Sequence, residues 1–209
     1  MNKLYVINLG RELGSGGRQI GEVVASRLGI KFYDKALLRL AAEHSGLCKE
    51  CFEKVDESTS KWKISELVDF VRNQFSTSAN PSGDVLGEQS IFEISSELIA
   101  TLSANDSCLF VGRCADYILR EHPCAINIFI SANQSDRVKR IMELNDISES
   151  EATKKIKEID GKRAAYYNYY STKTWGKASS YDLCINSSIL GIEGTAEFII
   201  DYVKQTIKR

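Results

Sequence analysis

The stretch that decides the fold reads Gly10-Arg11-Glu12-Leu13-Gly14-Ser15-Gly16-Gly17-Arg18-Gln19-Ile20-Gly21. It follows the apolar, strand-like run Leu4–Leu9 and leads into a helical pattern. Glycines let successive backbone N–H groups point at one anion, and the helix N-terminus adds partial positive charge. Arg18 would add a full charge at the end of the loop. We therefore predict a phosphate-binding loop; the alternative interpretation is a tight turn without a ligand.

The loop departs from two established phosphate-binding patterns. In the P-loop pattern G-x-x-x-x-G-K-[ST], the lysine position is Gly17 and the hydroxyl position is Arg18 or Gln19. The first glycine becomes Arg11, or Gly10 with a shift of one residue. The dinucleotide pattern G-x-G-x-x-G would need its third glycine at position 19. A dinucleotide fold is therefore disfavoured, although Asp34 lies near the spacing of its acidic residue.

Short apolar runs alternate with helical patterns along the chain. The strand candidates are Leu4–Leu9, Ile30–Tyr33, Cys108–Val111, Ala125–Ile130 and Tyr181–Ile185. The helical patterns cover roughly 17–28, 35–44, 62–76, 86–103, 134–145, 149–170 and 193–207. Apolar strands separated by helices predict a parallel sheet buried on both faces. We expect an α/β fold with three layers and a five-stranded parallel sheet.

The spacing of the strands is uneven. About 70 residues of mainly helical pattern separate the second strand candidate from the third, with a loop at 76–84. We predict one domain over residues 1–209, with a substrate-covering helical insertion at 35–105. The alternative is a pair of helices that only packs on the sheet.

Composition and charge restrict the possible partners. The chain has 27 basic and 28 acidic residues, and 43% of its residues are hydrophobic. This balance gives no reason to expect nucleic acid or a membrane surface as a partner. The first residues enter a strand-like run, with no visible secretory signal. We therefore expect a cytoplasmic protein.

Six cysteines are present, and two of them form a lone C-x-x-C. A structural zinc site would usually need a second pair or two nearby histidines, beyond Cys48 and Cys51. We expect reduced cysteines, while a metal- or redox-linked role for this pair stays open. Cys108, Cys124 and Cys184 lie in strand-like runs and are expected in the core.

The motifs in their order resemble the cytidylate kinase-like family, whose opening reads S-R-E-x-G-S-G-G-x-x-I-G. The matching tracts are Arg11–Gly21, Ile30–Lys35, Phe110–Asp116, Lys162–Tyr167, Trp175-Gly176 and Tyr181–Ser188. They span nearly the whole chain. The resemblance implies a P-loop kinase-type fold with an acceptor-binding insertion and a lid at about 145–178. It also implies transfer of a phosphoryl group from ATP, with Mg²⁺, to a nucleoside monophosphate or a related small acceptor.

The resemblance implies a role for individual residues. The donor phosphates would meet Gly14, Ser15, Gly16, Gly17, Arg18, Gln19, Arg137 and Arg140. The acceptor would meet Asp34, Lys35, Arg39, Gly112 and Arg113. Asp160 and Arg163 resemble the D-x-x-R of the lid, and Asn186, Ser187 and Ser188 resemble the loop around the donor base. The aspartate that reads cytosine in cytidylate kinases is Cys114 here.

Phosphoryl transfer needs two charged substrates in line and cations around the transferred group. Arginine suits this task because it binds phosphate bidentately. We take Arg18, Arg113, Arg163 and Asp160 as the catalytic candidates. A solvated helix face is the alternative for Arg163, and Arg39, Arg137 and Arg140 could equally be structural.

Tyrosines and acidic residues leave further questions open. The run Tyr166-Tyr167-Asn168-Tyr169-Tyr170 could stack on a base, bind phosphate, pack the lid or form a homodimer contact. Glu12 and Asp34 are the nearest candidate metal ligands, because Val111 stands where an acidic residue would close the third strand. A catalytically degenerate nucleotide- or phosphometabolite-binding protein is therefore the competing hypothesis.

Overall fold

The computed structural model describes residues 4–34 and 88–208. The helical patterns predicted at 35–44 and 62–76, the acceptor candidates Lys35 and Arg39, and the Cys48/Cys51 pair lie outside the described residues. Of the predicted insertion at 35–105, the structure describes the part from residue 88 onward.

The described strands form one parallel sheet, as their apolar composition predicts. They are β1 (Val6–Arg11), β2 (Lys31–Tyr33), β3 (Cys108–Val111), β4 (Ala125–Ser131) and β5 (Leu183–Asn186). The order across the sheet is β2-β3-β1-β4-β5, and each neighbouring pair is parallel. The strand that precedes the glycine loop therefore lies at the centre of the sheet. β1 extends two residues beyond its predicted end because Gly10 and Arg11 pair with β4.

Helices connect these strands, and their bounds follow the predicted patterns closely. They are α1 (Gly17–Leu28), α2 (Glu88–Asn105), α3 (Ala115–Ile118), α4 (Gln134–Asn145), α5 (Glu149–Tyr170) and α6 (Ser187–Thr206). α3 has no counterpart among the predicted patterns because it is a single turn. α6 begins six residues before its predicted start and kinks at Gly191, where φ is 68°. No described helix is both long enough and apolar enough to span a bilayer.

The core lies on both faces of the sheet because alternate strand residues point to opposite sides. Ile7 and Leu109 pack with α1 and α6 on one face. Val6 and Phe110 pack with α2 and α3 on the other. The three-layer α/β arrangement predicted from the sequence is confirmed. Within the described part of the predicted insertion, α2 packs directly on the sheet.

Two features of the fold position the candidate site. α4 and α5 form a small apolar cluster of their own that includes Val138 and Ile156, and this cluster holds α5 beside the end of β1. The 3₁₀ turn Ala178–Ser180 then leads into the edge strand β5.

The prediction that Cys184 lies in the core is wrong: its side chain is exposed on this edge strand, whereas Cys108 is fully buried.

Candidate active site

The glycine loop between β1 and α1 has the backbone geometry of an anion nest. Gly14 and Gly16 have φ values of 78° and 74°, a left-handed conformation that glycine adopts without steric cost. Gly16 is the N-cap of α1, and no side chain caps the helix there. Within the described residues, the N–H groups of Gly14, Gly16 and Arg18 meet no acceptor. The loop therefore offers several donors to one anion.

Two serine hydroxyls fix the shape of this loop. The buried Ser15 Oγ donates to the carbonyl oxygen of Glu12 at 2.9 Å and accepts the N–H of Gly17 at 3.3 Å. Ser187 Oγ, at the start of α6, donates to the carbonyl oxygen of Ser15 at 2.6 Å. These bonds hold the loop in place before any ligand arrives.

An ion-pair cluster of Glu12, Arg137 and Asp160 supports the loop from the α4–α5 side. Arg137 Nε donates to the carbonyl oxygen of Leu13 at 2.8 Å, and its Nη1 lies 3.2 Å from Glu12 Oε1. Its Nη2 donates to Asp160, whose other oxygen accepts the N–H of Leu13 at 2.8 Å. The Arg137 side chain is only 8% exposed, so these carboxylates compensate its buried charge.

Two further arginines border the loop. Arg140 Nη1 donates to the carbonyl oxygen of Gly14. Arg163 Nη1 donates to the carbonyl oxygen of Arg11 at 3.1 Å and lies 3.5 Å from Asp160. Burial lowers the pKa of the Arg163 guanidinium, while the charge of Asp160 opposes that shift. α4 and α5 thus each bring a cation to the loop.

Arg18 and Asp34 form a separate pair on the β2 side. Arg18 Nε lies 2.8 Å from Asp34 Oδ2, and its Nη1 lies 3.1 Å from Glu22 Oε1. The Arg18 side chain is 54% exposed. Two carboxylates therefore pair with the guanidinium of Arg18, while its backbone N–H remains part of the anion nest. Gln19 follows it on an exposed position of α1.

A cavity of about 940 Å³ opens at the carboxyl ends of β1 and β3. Ligands of open α/β sheets bind at this edge. Its aromatic lining comes from Tyr166, Tyr167, Tyr169, Tyr170, Trp175 and Tyr181. Its cationic lining comes from Arg11, Arg113, Lys162 and Arg163. Aromatic rings and cations in one cavity suit an anion that carries a flat ring.

The turn after β3 directs Arg113 into this cavity. Gly112, Arg113 and Cys114 have successive φ values of 79°, 60° and 56°. Left-handed backbone costs roughly 1–2 kcal/mol for each non-glycine residue, and such strain concentrates at functional sites. The Arg113 guanidinium lies 5.9 Å from the centroid of the Tyr166 ring. Arg113 Nε and Tyr166 Oη are buried without a hydrogen-bond partner in the described structure.

The sequence reasoning missed a carboxylate in the same cavity. Asp116 is buried, accepts a hydrogen bond of 2.6 Å from Tyr167 Oη and lies 3.6 Å from Lys173 Nζ. Burial raises the pKa of the Tyr167 hydroxyl, and the hydrogen bond to Asp116 adds to that shift. The signal available in the sequence was the position of Asp116 three residues after Arg113, within the single turn of α3.

Arg11 is another charged cavity residue without a predicted role. It ends the central strand immediately before the glycine loop, at the same sheet edge as Arg113. Like Arg113, Arg11 is a cation at the carboxyl end of a buried strand, and this position in the sequence could have identified it.

The segment predicted to surround the donor base lies at the start of α6. Asn186 caps that helix through the N–H of Ser188 at 2.9 Å, and its Nδ2 donates to Asn133 Oδ1 at 2.9 Å. Ser188 Oγ accepts the N–H of Asn133 at 2.9 Å. Ser187 bonds to the loop, so the segment adjoins the glycine loop.

The two candidate metal ligands are already engaged. Glu12 Oε2 accepts the N–H of Ala132 at 3.1 Å, and its other oxygen pairs with Arg137. Asp34 pairs with Arg18. Across residues 4–34 and 88–208, no cluster of three or more His, Cys, Asp or Glu side chains could hold a metal ion. The described side chains therefore do not provide a complete set of protein ligands for Mg²⁺.

The predicted site residues therefore gather in three places. Around the glycine loop lie Arg137, Arg140, Asp160, Arg163 and Ser187. Gly112 and Arg113 line the cavity, and Arg18 pairs with Asp34 at the β2 edge.

Solved structures are similar to this chain in their overall fold. A crystal structure of an uncharacterized protein from Eubacterium ventriosum is 26% identical, has a TM-score of 0.72 and aligns over 96% of this chain and 98% of its own. A shikimate kinase from Bacteroides thetaiotaomicron is 14% identical with a TM-score of 0.54, over 97% and 99% of the two chains, and this similarity concerns the fold alone. No curated protein matches the sequence. The sequence model of the cytidylate kinase-like family matches residues 6–189, and the chain therefore belongs to that family.

Proposed function

We propose that the protein transfers the γ-phosphoryl group of ATP to a nucleoside monophosphate, or to a related small acceptor. Membership of the cytidylate kinase-like family supports a kinase of nucleotides or small molecules. The observation that best supports the finer assignment is the cationic, aromatic cavity beside an anion nest. The anion nest suits the phosphates of the donor, and the neighbouring cavity suits the acceptor of the same phosphoryl group.

The donor phosphates bind at the glycine loop in this proposal. The N–H groups of Gly14, Gly16 and Arg18 point at their oxygens, and Arg140 and Arg163 add charge at the two sides. Asp160 and Arg137 act as positioning residues because both hold the loop through Leu13. The start of α6, with Asn186, lies beside the donor base.

The acceptor binds in the cavity in this proposal. Arg113 contacts its phosphate, and the tyrosines of α5 stack on its base. A phosphate oxygen of the acceptor attacks the γ-phosphorus, the bond to the β-phosphate oxygen breaks, and ADP leaves with the electron pair. The positive charges stabilise the negative charge spread over the transferred group. Asp34, Lys35 and Arg39 remain predicted acceptor contacts.

In this proposal, Mg²⁺ binds to the protein together with the nucleotide. Mg²⁺ keeps several waters and binds substrate phosphates, with one or two carboxylates at most. Glu12 and Asp34 are each paired with an arginine, so we assign no step to the metal.

The test is turnover with ATP, Mg²⁺ and a panel of nucleoside monophosphates, measured as ADP release and product mass. We expect Arg113→Ala to reduce kcat/KM for the acceptor by about 10²-fold, since a preorganised cation is lost. Arg120→Ala is the matched control because Arg120 lies exposed near the end of α3. Absence of product from the wild-type protein with every acceptor would contradict the nucleotide-kinase assignment.

The alternative is a degenerate kinase fold that binds a nucleotide or phosphometabolite without turnover. It is favoured by Gly17 at the usual lysine position and Val111 at the end of β3. It predicts that ATP raises the melting temperature while no product forms. Turnover that Arg113→Ala abolishes would exclude it.

A further inference from the structure

The side chain of Arg11 occupies the space beside Gly17. A Cβ atom added to Gly17 would lie 2.6 Å from Arg11 Cβ and 3.1 Å from Arg11 Cγ. Position 17 is where P-loop kinases carry their phosphate-binding lysine. A lysine at that position would therefore collide with the stem of Arg11 as the chain is folded here.

The guanidinium of Arg11 reaches the turn after β3. A Cβ atom added to Gly112 would overlap Arg11 Nη1 and lie 3.4 Å from its Cζ. The Arg11 side chain thus runs from the start of the glycine loop to the end of β3, through the lining of the cavity. Gly17 and Gly112 leave room at its two ends.

The guanidinium of Arg11 forms no hydrogen bond or ion pair within the described part of the chain. Burial lowers its pKa to about 9, and the positive charges of Arg163 and Arg113 add to that shift, while Asp34 and Asp160 oppose it. The group is still charged at neutral pH. An anion placed among these three arginines would relieve their repulsion.

We propose that Arg11 replaces the missing loop lysine and binds the β- and γ-phosphate oxygens of the nucleoside triphosphate. This inference rests on the proposed function. The Arg11 side chain runs from the glycine loop into the lining of the cavity and so connects the proposed donor and acceptor sites. Arginine can bind two phosphate oxygens at once, so Arg11 can take over the role of the lysine that is absent from the start of α1.

The test compares the wild-type protein with Arg11→Gln, which keeps most of the stem but removes the charge. Kd values are measured by calorimetry for ATP, adenosine and inorganic tripolyphosphate, and kcat is measured with the best acceptor. We expect Arg11→Gln to weaken ATP and tripolyphosphate binding by about 10- to 100-fold and to leave adenosine binding unchanged. We expect kcat to fall by about 10²-fold. Arg120→Gln should match the wild-type protein in every measurement.

The variant Arg11→Lys keeps a cation at the same position. We expect it to retain part of the triphosphate affinity that Arg11→Gln loses, because lysine preserves the charge but not the bidentate contact. If Arg11→Gln binds triphosphates and turns over like the wild-type protein, the inference is overturned.

A measurement on the wild-type protein covers the case in which Arg11→Gln does not fold. Phenylglyoxal modification of Arg11, followed by mass spectrometry, should be slowed by tripolyphosphate and not by adenosine. Modification of Arg11 at an unchanged rate would overturn the inference. If the protein binds tripolyphosphate through Arg11 without turnover, the kinase assignment fails and the Arg11 site stands. If the protein binds no triphosphate, both the kinase assignment and the inference about Arg11 are wrong.

Discussion

At the scale of single residues, Asp160 shows how one carboxylate can hold a glycine-rich loop. It lies on α5, yet its oxygens meet the backbone of Leu13 and the buried Arg137. A glycine loop has little side-chain packing of its own, so its shape depends on such contacts. The D-x-x-R pattern of the sequence pointed to Asp160 and Arg163, which lie 3.5 Å apart, but it did not indicate that Asp160 also pairs with Arg137 of α4.

We predict that Asp160→Asn lowers the free energy of unfolding by about 2 kcal/mol, because a buried guanidinium loses a charged partner. Urea unfolding followed by circular dichroism measures this change. Glu158→Gln is the control on the same helix, since Glu158 forms only an exposed pair with Lys162. Equal stability of Asp160→Asn and the wild-type protein would show that the cluster does not support the fold.

At the scale of elements, α5 connects the glycine loop and the cavity, and it lies within the segment predicted to be the lid. Its N-terminus carries a capping box, in which Ser148 Oγ accepts the N–H of Glu151 at 3.3 Å and Glu151 Oε2 accepts the N–H of Ser148 at 3.0 Å. Its second half carries Asp160, Arg163 and the cavity tyrosines. The starting point of the helix therefore determines which residues face the site.

We expect Ser148→Ala to destabilise the protein by about 1 kcal/mol, the usual cost of losing a helix cap. Ser150 is an exposed serine in the first turn of the same helix, two residues after Ser148. We expect Ser150→Ala to have a much smaller effect. Differential scanning calorimetry compares the two variants. A loss in Ser150→Ala as large as that in Ser148→Ala would argue against a specific role of the cap.

At the scale of the whole molecule, the doubly covered sheet buries groups that would ionise in the unfolded chain. Burial raises the pKa of the Cys108 thiol from 9.0 to about 12, with Asp106 adding to the shift and Lys31 opposing it. The thiol is thus neutral in the folded state and ionises above pH 9 in the unfolded state. Its contribution to stability is complete below pH 9 and is lost as the pH rises toward 12.

We predict that the difference in unfolding free energy between the wild-type protein and Cys108→Ala decreases with pH above 9. The expected slope is about 1.4 kcal/mol per pH unit, the value for one ionising group. Urea unfolding at several pH values between 8 and 11 measures it, and Cys108 lies at the opposite end of β3 from the cavity. A difference that is independent of pH would contradict the prediction.

The order of elements was predictable from the sequence because its signals are local. Apolar strand runs, helical periodicity and a glycine turn at the end of β1 each depend on neighbouring residues. These signals predicted the five strands, the described long helices and the placement of the loop. The resemblance to the family, carried by motifs such as Arg11–Gly21, was confirmed by the match over residues 6–189.

The course of the Arg11 side chain was decided only by the tertiary structure. Leu13 meets Asp160, which is 147 residues away in sequence, and Arg11 reaches Gly112 across the sheet edge. No local pattern encodes such contacts, because they depend on which strands are neighbours in the sheet and how α5 packs beside them. The sequence by itself showed a glycine loop without its lysine. The folded chain showed an arginine of the central strand lying in the space that the lysine would need.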